Sequence, residues 1–181
     1  KNKKVLDIGV HNGINTNEFT KHNEVVGVDL SNTILKFQAK YKFPCYAWDI
    51  NGDLKLFDNE QFDAIVAGEI IEHLKSPTAF INEVYRVLTP KGSLIISCPY
   101  KEELFQDPLH LHEIDENFIA LLLKDLFTIK EQLILKDKKS ILVLAESTKT
   151  DPLIKLHTEE DHYNKMSKLV DGMKFNLVLE L

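Results

Sequence analysis

The chain has 181 residues, 44% hydrophobic and 28% charged, enough to bury one sizeable core rather than two. Its 22 basic and 28 acidic residues leave a net charge of −6, which lacks the basic field that non-specific binding to polynucleotides or anionic membranes requires. No apolar run approaches the roughly 20 residues of a membrane span, and Cys45 and Cys98, 53 positions apart, make neither a local metal pair nor a disulfide framework, so a cytoplasmic protein is expected.

Short runs rich in valine and isoleucine alternate with helical patterns. Val5–Ile8, Val25–Val28, Ala64–Ala67 and Ser93–Ser97 read as strands buried on both faces. Helices are expected near Thr16–Lys21, Thr33–Tyr41 and Thr78–Leu88. The last carries an apolar face of Phe80, Ile81, Val84, Tyr85 and Leu88 and stops at Thr89-Pro90-Lys91-Gly92. This is βαβ order, hence a Rossmann-like α/β fold: an open, mostly parallel sheet with helices on both faces. A helix near Glu116–Lys124 then precedes Phe127–Leu135, and Lys136-Asp137-Lys138-Lys139 reads as a solvated hairpin turn into Ser140–Ala145. That pairing predicts one antiparallel strand near the sheet edge. A core over 1–146 is expected, with a C-terminal extension over 147–181: a mixed polar helix at Thr158–Val170 and an edge strand at Phe175–Leu181. Met166 and Met173, seven apart, read as filling a packing face of a helix.

The first strand runs into Gly9-Val10-His11-Asn12-Gly13, and in an open α/β sheet such a turn is where a nucleotide's polar part meets backbone N–H groups. By itself the turn could equally be a plain connector. Asp29, 20 residues after Gly9, stands at the spacing of a ribose-binding carboxylate. A third acid, Asp49, ends what should be the third strand and can accept a hydrogen bond from an exocyclic amine such as adenine's. A dinucleotide dehydrogenase would place a third glycine where Ile14 stands, and no Gly-x-x-x-x-Gly-Lys-Ser/Thr phosphate loop occurs. Arg86 is the only arginine, so an anion would be met by lysine, histidine or backbone N–H groups.

From Val5 to about Tyr100 the chain resembles the class I S-adenosylmethionine-dependent methyltransferases. Asp7-Ile8-Gly9-Val10-His11-Asn12-Gly13 looks like the family's first motif, with His11 in place of the usual middle glycine. Phe62–Leu74 looks like its fourth-strand motif, and Glu83–Ser97 like its helix, Pro-x-Gly turn and fifth strand. The resemblance implies S-adenosyl-L-methionine as cofactor and S-adenosyl-L-homocysteine as product. Asp7, Gly9 and Gly13 would lie near the methionine part, Asp29 with Leu30 at the ribose, Asp49 with Ile50 at the adenine, and Glu69 at the mouth of the same site. Relatives place one or two helices ahead of the first strand, so the expectation is a fragment of a longer protein or a lid supplied by 147–181.

Glu69, Glu72 and His73 stand at i, i+3 and i+4, so a helical turn after the fourth strand would project all three from one face. The proline-marked segment carrying His110 and His112 should enter the same cleft. Three readings are open: polar capping, with no chemistry; a general base, His73, His110 or His112, serving a hydroxyl acceptor; or a divalent metal on Glu69, Glu72, His73 and His110. Glu-x-x-Glu-His with a distant histidine resembles the metal site of the small-RNA 3′-terminal 2′-O-methyltransferases, and Glu-x-x-Glu-His alone resembles the ubiquinone-pathway O-methyltransferases. His73 and His110 are the expected catalytic residues. Trp48 and Tyr100 read as core aromatics rather than stacking platforms.

The fourth strand exits as Ala67-Gly68-Glu69-Ile70, not as the Asp/Asn-Pro-Pro-Tyr/Phe with which amino-methyltransferases receive a nitrogen. Oxygen is therefore the expected acceptor. The acidic charge favours a small metabolite, sugar or lipid-linked glycan over a polynucleotide. Two alternatives stay open: a metal-dependent RNA 2′-O-methyltransferase, and a cofactor-binding or interaction module without catalysis, motivated by His11 in the glycine loop.

Overall fold

Valine and isoleucine runs too short for a helix become the centre of a seven-stranded sheet, because β-branched side chains pack well on a pleat covered from both sides. The computed structural model describes residues 1–30, 40, 42–51, 53–101, 107–135 and 139–150. In chain order these form β1 (Lys4–Ile8), α1 (Ile14–Thr20), β2 (Glu24–Asp29), β3 (Cys45–Ala47) and β4 (Phe62–Gly68). There follow a one-turn 3₁₀ helix (Ile71–His73), α2 (Pro77–Val87), β5 (Leu88–Pro99), α3 (Glu116–Leu123), β6 (Phe127–Leu135) and β7 (Ser140–Ser147). The helix expected at Thr33–Tyr41, apart from Lys40, and the extension elements at Thr158–Val170 and Phe175–Leu181, with Met166 and Met173, lie outside the described residues, as do Lys136, Asp137 and Lys138 of the expected hairpin turn. β7 ends at Ser147, beside the expected boundary of the core.

The strand order is β3-β2-β1-β4-β5-β7-β6. β1 to β5 are mutually parallel, and β7 alone runs against its neighbours β5 and β6. Alternation along the strands sorts the core into two faces. Leu6, Ile8, Val26, Val28, Ile65 and Ala67 join Phe80, Ile81, Val84 and Val87 of α2 and Ile119 and Leu123 of α3. Val5, Val25, Ala64 and Val66 pack on the other face with Phe19 of α1. Each fully buried Leu or Ile here contributes roughly 1.5–3 kcal/mol.

α2 starts where Ser76 accepts the Ala79 N–H at 3.3 Å and Pro77 stands in the first turn, which needs no N–H there. It stops at Val87, just before Thr89-Pro90-Lys91-Gly92, but that segment belongs to β5, which starts at Leu88, rather than to a separate turn. The ladder pairs Phe62 with Leu88 and then Ala64 with Ser93, so the proline-glycine segment bulges out of register. A second irregularity, at Ile129/Glu131, lies at Lys130. Lys91 and Lys130 both reach buried Glu146, at 3.9 and 3.2 Å, compensating a carboxylate that would otherwise be costly inside the sheet.

Candidate active site

Parallel strands deliver their carboxyl ends to one edge, and the chain reverses its direction of winding between β1 and β4, where open α/β sheets bind ligands. Asp7 to Gly13, Asp29 with Leu30, Asp49 with Ile50, and Glu69 sit at or just beyond the ends of β1, β2, β3 and β4, so the sequence-selected residues share that edge. β3 itself is shorter than expected and stops at Ala47. The chain nevertheless stays beside β2, since Trp48 N–H donates to the Asp29 carbonyl at 2.9 Å.

The glycine loop is built from left-handed residues. Gly9, His11 and Gly13 have φ of 82°, 50° and 73°. At Gly9 two constraints coincide, because a Cβ would also stand 2.5 Å from Cδ1 of Ile70 in the loop after β4. His11 adopts the left-handed backbone without being glycine, and its N–H donates to Oδ2 of Asp29 at 2.8 Å. Asp7 lies beneath the loop, 6% exposed, where its Oδ2 accepts the hydroxyl of buried Thr16 in α1 at 2.6 Å. Burial pushes the Asp7 carboxyl up to about 7; the Thr16 bond works against this and the nearby Asp29 charge adds to it. Asp49 closes a local turn, its Oδ1 accepting Asn51 N–H at 2.9 Å, and Asn51 in turn accepts Lys75 N–H at 2.9 Å. Trp48 and Tyr100 are half-buried against the main core, as expected of them.

The turn after β4 departs from the expected single face. Glu69 is exposed with φ of 53° and precedes the 3₁₀ helix, whereas Glu72 inside it is buried and His73 is exposed. A left-handed residue at the strand exit turns the chain before any helix starts, so Glu69 does not stack with Glu72 and His73. Among the described residues, one ligand atom from each of Glu72, His73 and His110 lie within 4.8 Å of one another, and Glu69 is not in that group. The four residues of the metal reading therefore do not come together as a set; Glu72, His73 and His110 do, and Glu69 stands apart. The His73 and His110 rings are 4.9 Å apart between centroids, and His73 Nε2 is 4.0 Å from Glu72 Oε1. A carbonyl only accepts, so the 3.1 Å contact between His73 Nδ1 and the Leu109 oxygen calls for a proton on Nδ1, while Nε2 is the ring nitrogen turned towards the Glu72 carboxyl. His110 Nε2 is 3.7 Å from Oδ2 of Asp107, whose Oδ1 accepts Leu109 N–H at 2.8 Å. Cys98 is fully buried nearby on β5; burial pushes its thiol up, and the charges of Glu72 and Glu69 push it further, so it is no nucleophile.

A family model described as a methyltransferase domain matches residues 6–96, from the first strand to the fifth. The chain belongs to that family. It is similar to the ubiquinone biosynthesis O-methyltransferase of Coxiella burnetii, 31% identical over 103 residues covering 54% of this chain and 44% of the relative. It is also similar to the mitochondrial ubiquinone biosynthesis O-methyltransferase of Mus musculus, 32% identical over 110 residues covering 56% of this chain and 30% of that one. The chain thus spans less than half the length of these curated relatives. In fold it resembles a putative methyltransferase from Bacillus halodurans, with a TM-score of 0.70 at 19% identity, covering 82% of this chain and 94% of the other. The N-methyltransferase NodS of Bradyrhizobium japonicum, solved with S-adenosyl-L-homocysteine, has a TM-score of 0.67 at 19% identity over 81% of this chain and 79% of that one. No helix among the described residues of this methyltransferase domain is long and apolar enough to cross a membrane.

Thr16 and Ile70 escaped the sequence reading. Thr16 sits 9 residues from Asp7 and reads as an ordinary position in a helix, and only its zero exposure beside a buried acid marks it. Ile70 looks like part of the fourth-strand motif, yet its side chain adds a steric constraint at Gly9 to the one its positive φ imposes.

Proposed function

We propose that this methyltransferase domain transfers the methyl group of S-adenosyl-L-methionine to a hydroxyl of a small molecule. Membership of the family supports the cofactor, and the site has donors and acceptors that suit it. The glycine loop offers backbone at positive φ beside the Asp29 carboxylate, an acceptor for vicinal hydroxyls, while Asp49 and Ile50 end the neighbouring strand's extension. When bound, the cofactor supplies a methyl group already activated by its sulfonium charge. The protein then has to align the acceptor, exclude water and remove one proton.

The observation that carries the oxygen reading is the placement of the His73 ring between the Leu109 carbonyl and Glu72. With Nδ1–H held by the Leu109 carbonyl, Nε2 is the ring atom able to take a hydroxyl proton, and buried Glu72, 4.0 Å away, stabilises the imidazolium that results. His110 stands against the same ring. The curated relatives' names, O-methyltransferases of ubiquinone biosynthesis, support a phenolic or other small hydroxylated acceptor.

A second reading of the same cluster is favoured by its donor set. One carboxylate and two imidazoles within 4.8 Å suit a divalent cation, and a histidine that donates its other N–H to a backbone carbonyl is held as metal-bound histidines are. In that reading Glu72, His73 and His110 hold the ion, which would lower the acceptor hydroxyl's pKa.

The test is transfer of tritiated methyl from S-adenosyl-L-methionine to phenols, sugars, lipids and small RNAs, each with EDTA and with added magnesium or manganese. Label in a small hydroxylated acceptor, lost in His73→Ala, is expected. Transfer to RNA alone would overturn the small-molecule reading, and transfer indifferent to EDTA and added metal would remove the metal.

A further inference from the structure

Among the described residues, segment 107–114 is stitched to the turn after β4 by hydrogen bonds that run in both directions. His73 Nδ1–H donates to the Leu109 carbonyl at 3.1 Å, Leu111 N–H donates to the Glu72 carbonyl at 2.7 Å, and the His112 ring meets the Leu74 carbonyl through Nε2 at 2.7 Å. A carbonyl cannot donate, so Nε2 of His112 carries the proton and gives it to this bond. The same ring lies 5.7 Å from that of Phe118 in α3. His112 thus bridges α3, the segment and the turn, while His110 stands between the anchors on either side of it.

We propose that His112 is a positioning residue of the methyl-transfer site: it holds the segment carrying His110 against the turn carrying Glu72 and His73, and so sets the imidazole pair. This rests on the enzymatic reading above. Of these anchors, those at Leu109 and Leu111 use backbone atoms of the segment. The one at His112 is a side chain, with a half-buried ring and a short bond. Committing Nε2–H to Leu74 also takes that atom out of proton abstraction, which leaves base chemistry to His73 and His110. A polar tip fixed by packing on one side and a backbone acceptor on the other is how a supporting residue locks a reactive one.

The experiment compares His112→Ala, His112→Asn and His112→Gln in the full chain. Glutamine places an N–H as many bonds from Cβ as Nε2, whereas asparagine ends one bond short. The first readout is the nuclear Overhauser contact between the ring protons of His73 and His110, whose centroids are 4.9 Å apart. The second is kcat and KM for methyl transfer to catechol. Alanine and asparagine should lose the ring contact and lower kcat by about 10- to 100-fold with KM for the cofactor unchanged, and glutamine should restore both. A ring contact that survives in His112→Ala, or a glutamine variant no better than alanine, would overturn the proposal. Should the wild type transfer nothing to catechol, the enzymatic reading or its acceptor is at fault, and the ring contact across the three variants still decides the latch.

Discussion

The backbone N–H of His11 donates to Oδ2 of Asp29 at 2.8 Å, so the loop after β1 and the acid that ends β2 form one unit. This bond explains how a histidine is held at φ of 50° in a loop otherwise turned by glycines. It also gives Asp29 two duties: setting the loop's path, and facing the ribose in the proposed complex.

Asp29→Ala should therefore weaken S-adenosyl-L-methionine binding by about 10- to 100-fold, the cost of losing a charge-assisted hydrogen bond of about 1.5–3 kcal/mol. Calorimetric titration of the variant checks this. An affinity equal to wild type would show the cofactor to lie elsewhere.

Gly9→Ala should destabilise the fold by about 1–3 kcal/mol, since φ is 82° and the new Cβ would stand 2.5 Å from Ile70. Adding Ile70→Ala should recover part of the loss, because it removes the clash but not the left-handed backbone. Urea unfolding of the two single variants and the double measures that coupling; strict additivity would mean that the contact carries no energy.

Asp7 makes stability depend on pH. Its carboxyl is pushed up to about 7 from 3.8, so the native state binds this proton more tightly than the unfolded chain does. The contribution is whole below pH 3.8 and is lost as pH rises through about 7, so unfolding free energy from this group should fall across that window, by at most roughly 4 kcal/mol. Asp7→Asn, which can still accept the Thr16 hydroxyl, should flatten the profile and be the more stable protein at pH 8. A variant with the wild-type pH slope would contradict the assignment.

His73→Ala should lower kcat by about 10²- to 10⁴-fold and leave cofactor affinity unchanged, as expected of a base that does not touch the cofactor. Steady-state transfer and a binding titration separate the two effects. An equal loss in both would move His73 into the cofactor site.

Much of the fold could be read directly. Valine-rich runs spaced by helical patterns identify β1, β2, β4 and β5, and the short connection between Phe127–Leu135 and Ser140–Ala145 identifies the antiparallel strand, because burial on both faces and short-loop closure each leave a clear local pattern. The acids at the strand ends were legible for the same reason: strand direction alone carries them to one edge. The turn after β4 was not. Its geometry depends on Glu69 taking a left-handed backbone, which its letters do not announce, so i, i+3 and i+4 spacing promised a face that does not form. His112 was indistinguishable in sequence from His110, two positions away. Only the Leu74 carbonyl in front of its ring separates an anchor from a candidate base.

The most direct test of the account is isothermal titration of the chain with S-adenosyl-L-methionine and S-adenosyl-L-homocysteine. Saturable heat from both is predicted, weakened by Asp29→Ala and undiminished by His73→Ala. No heat from either ligand would contradict it.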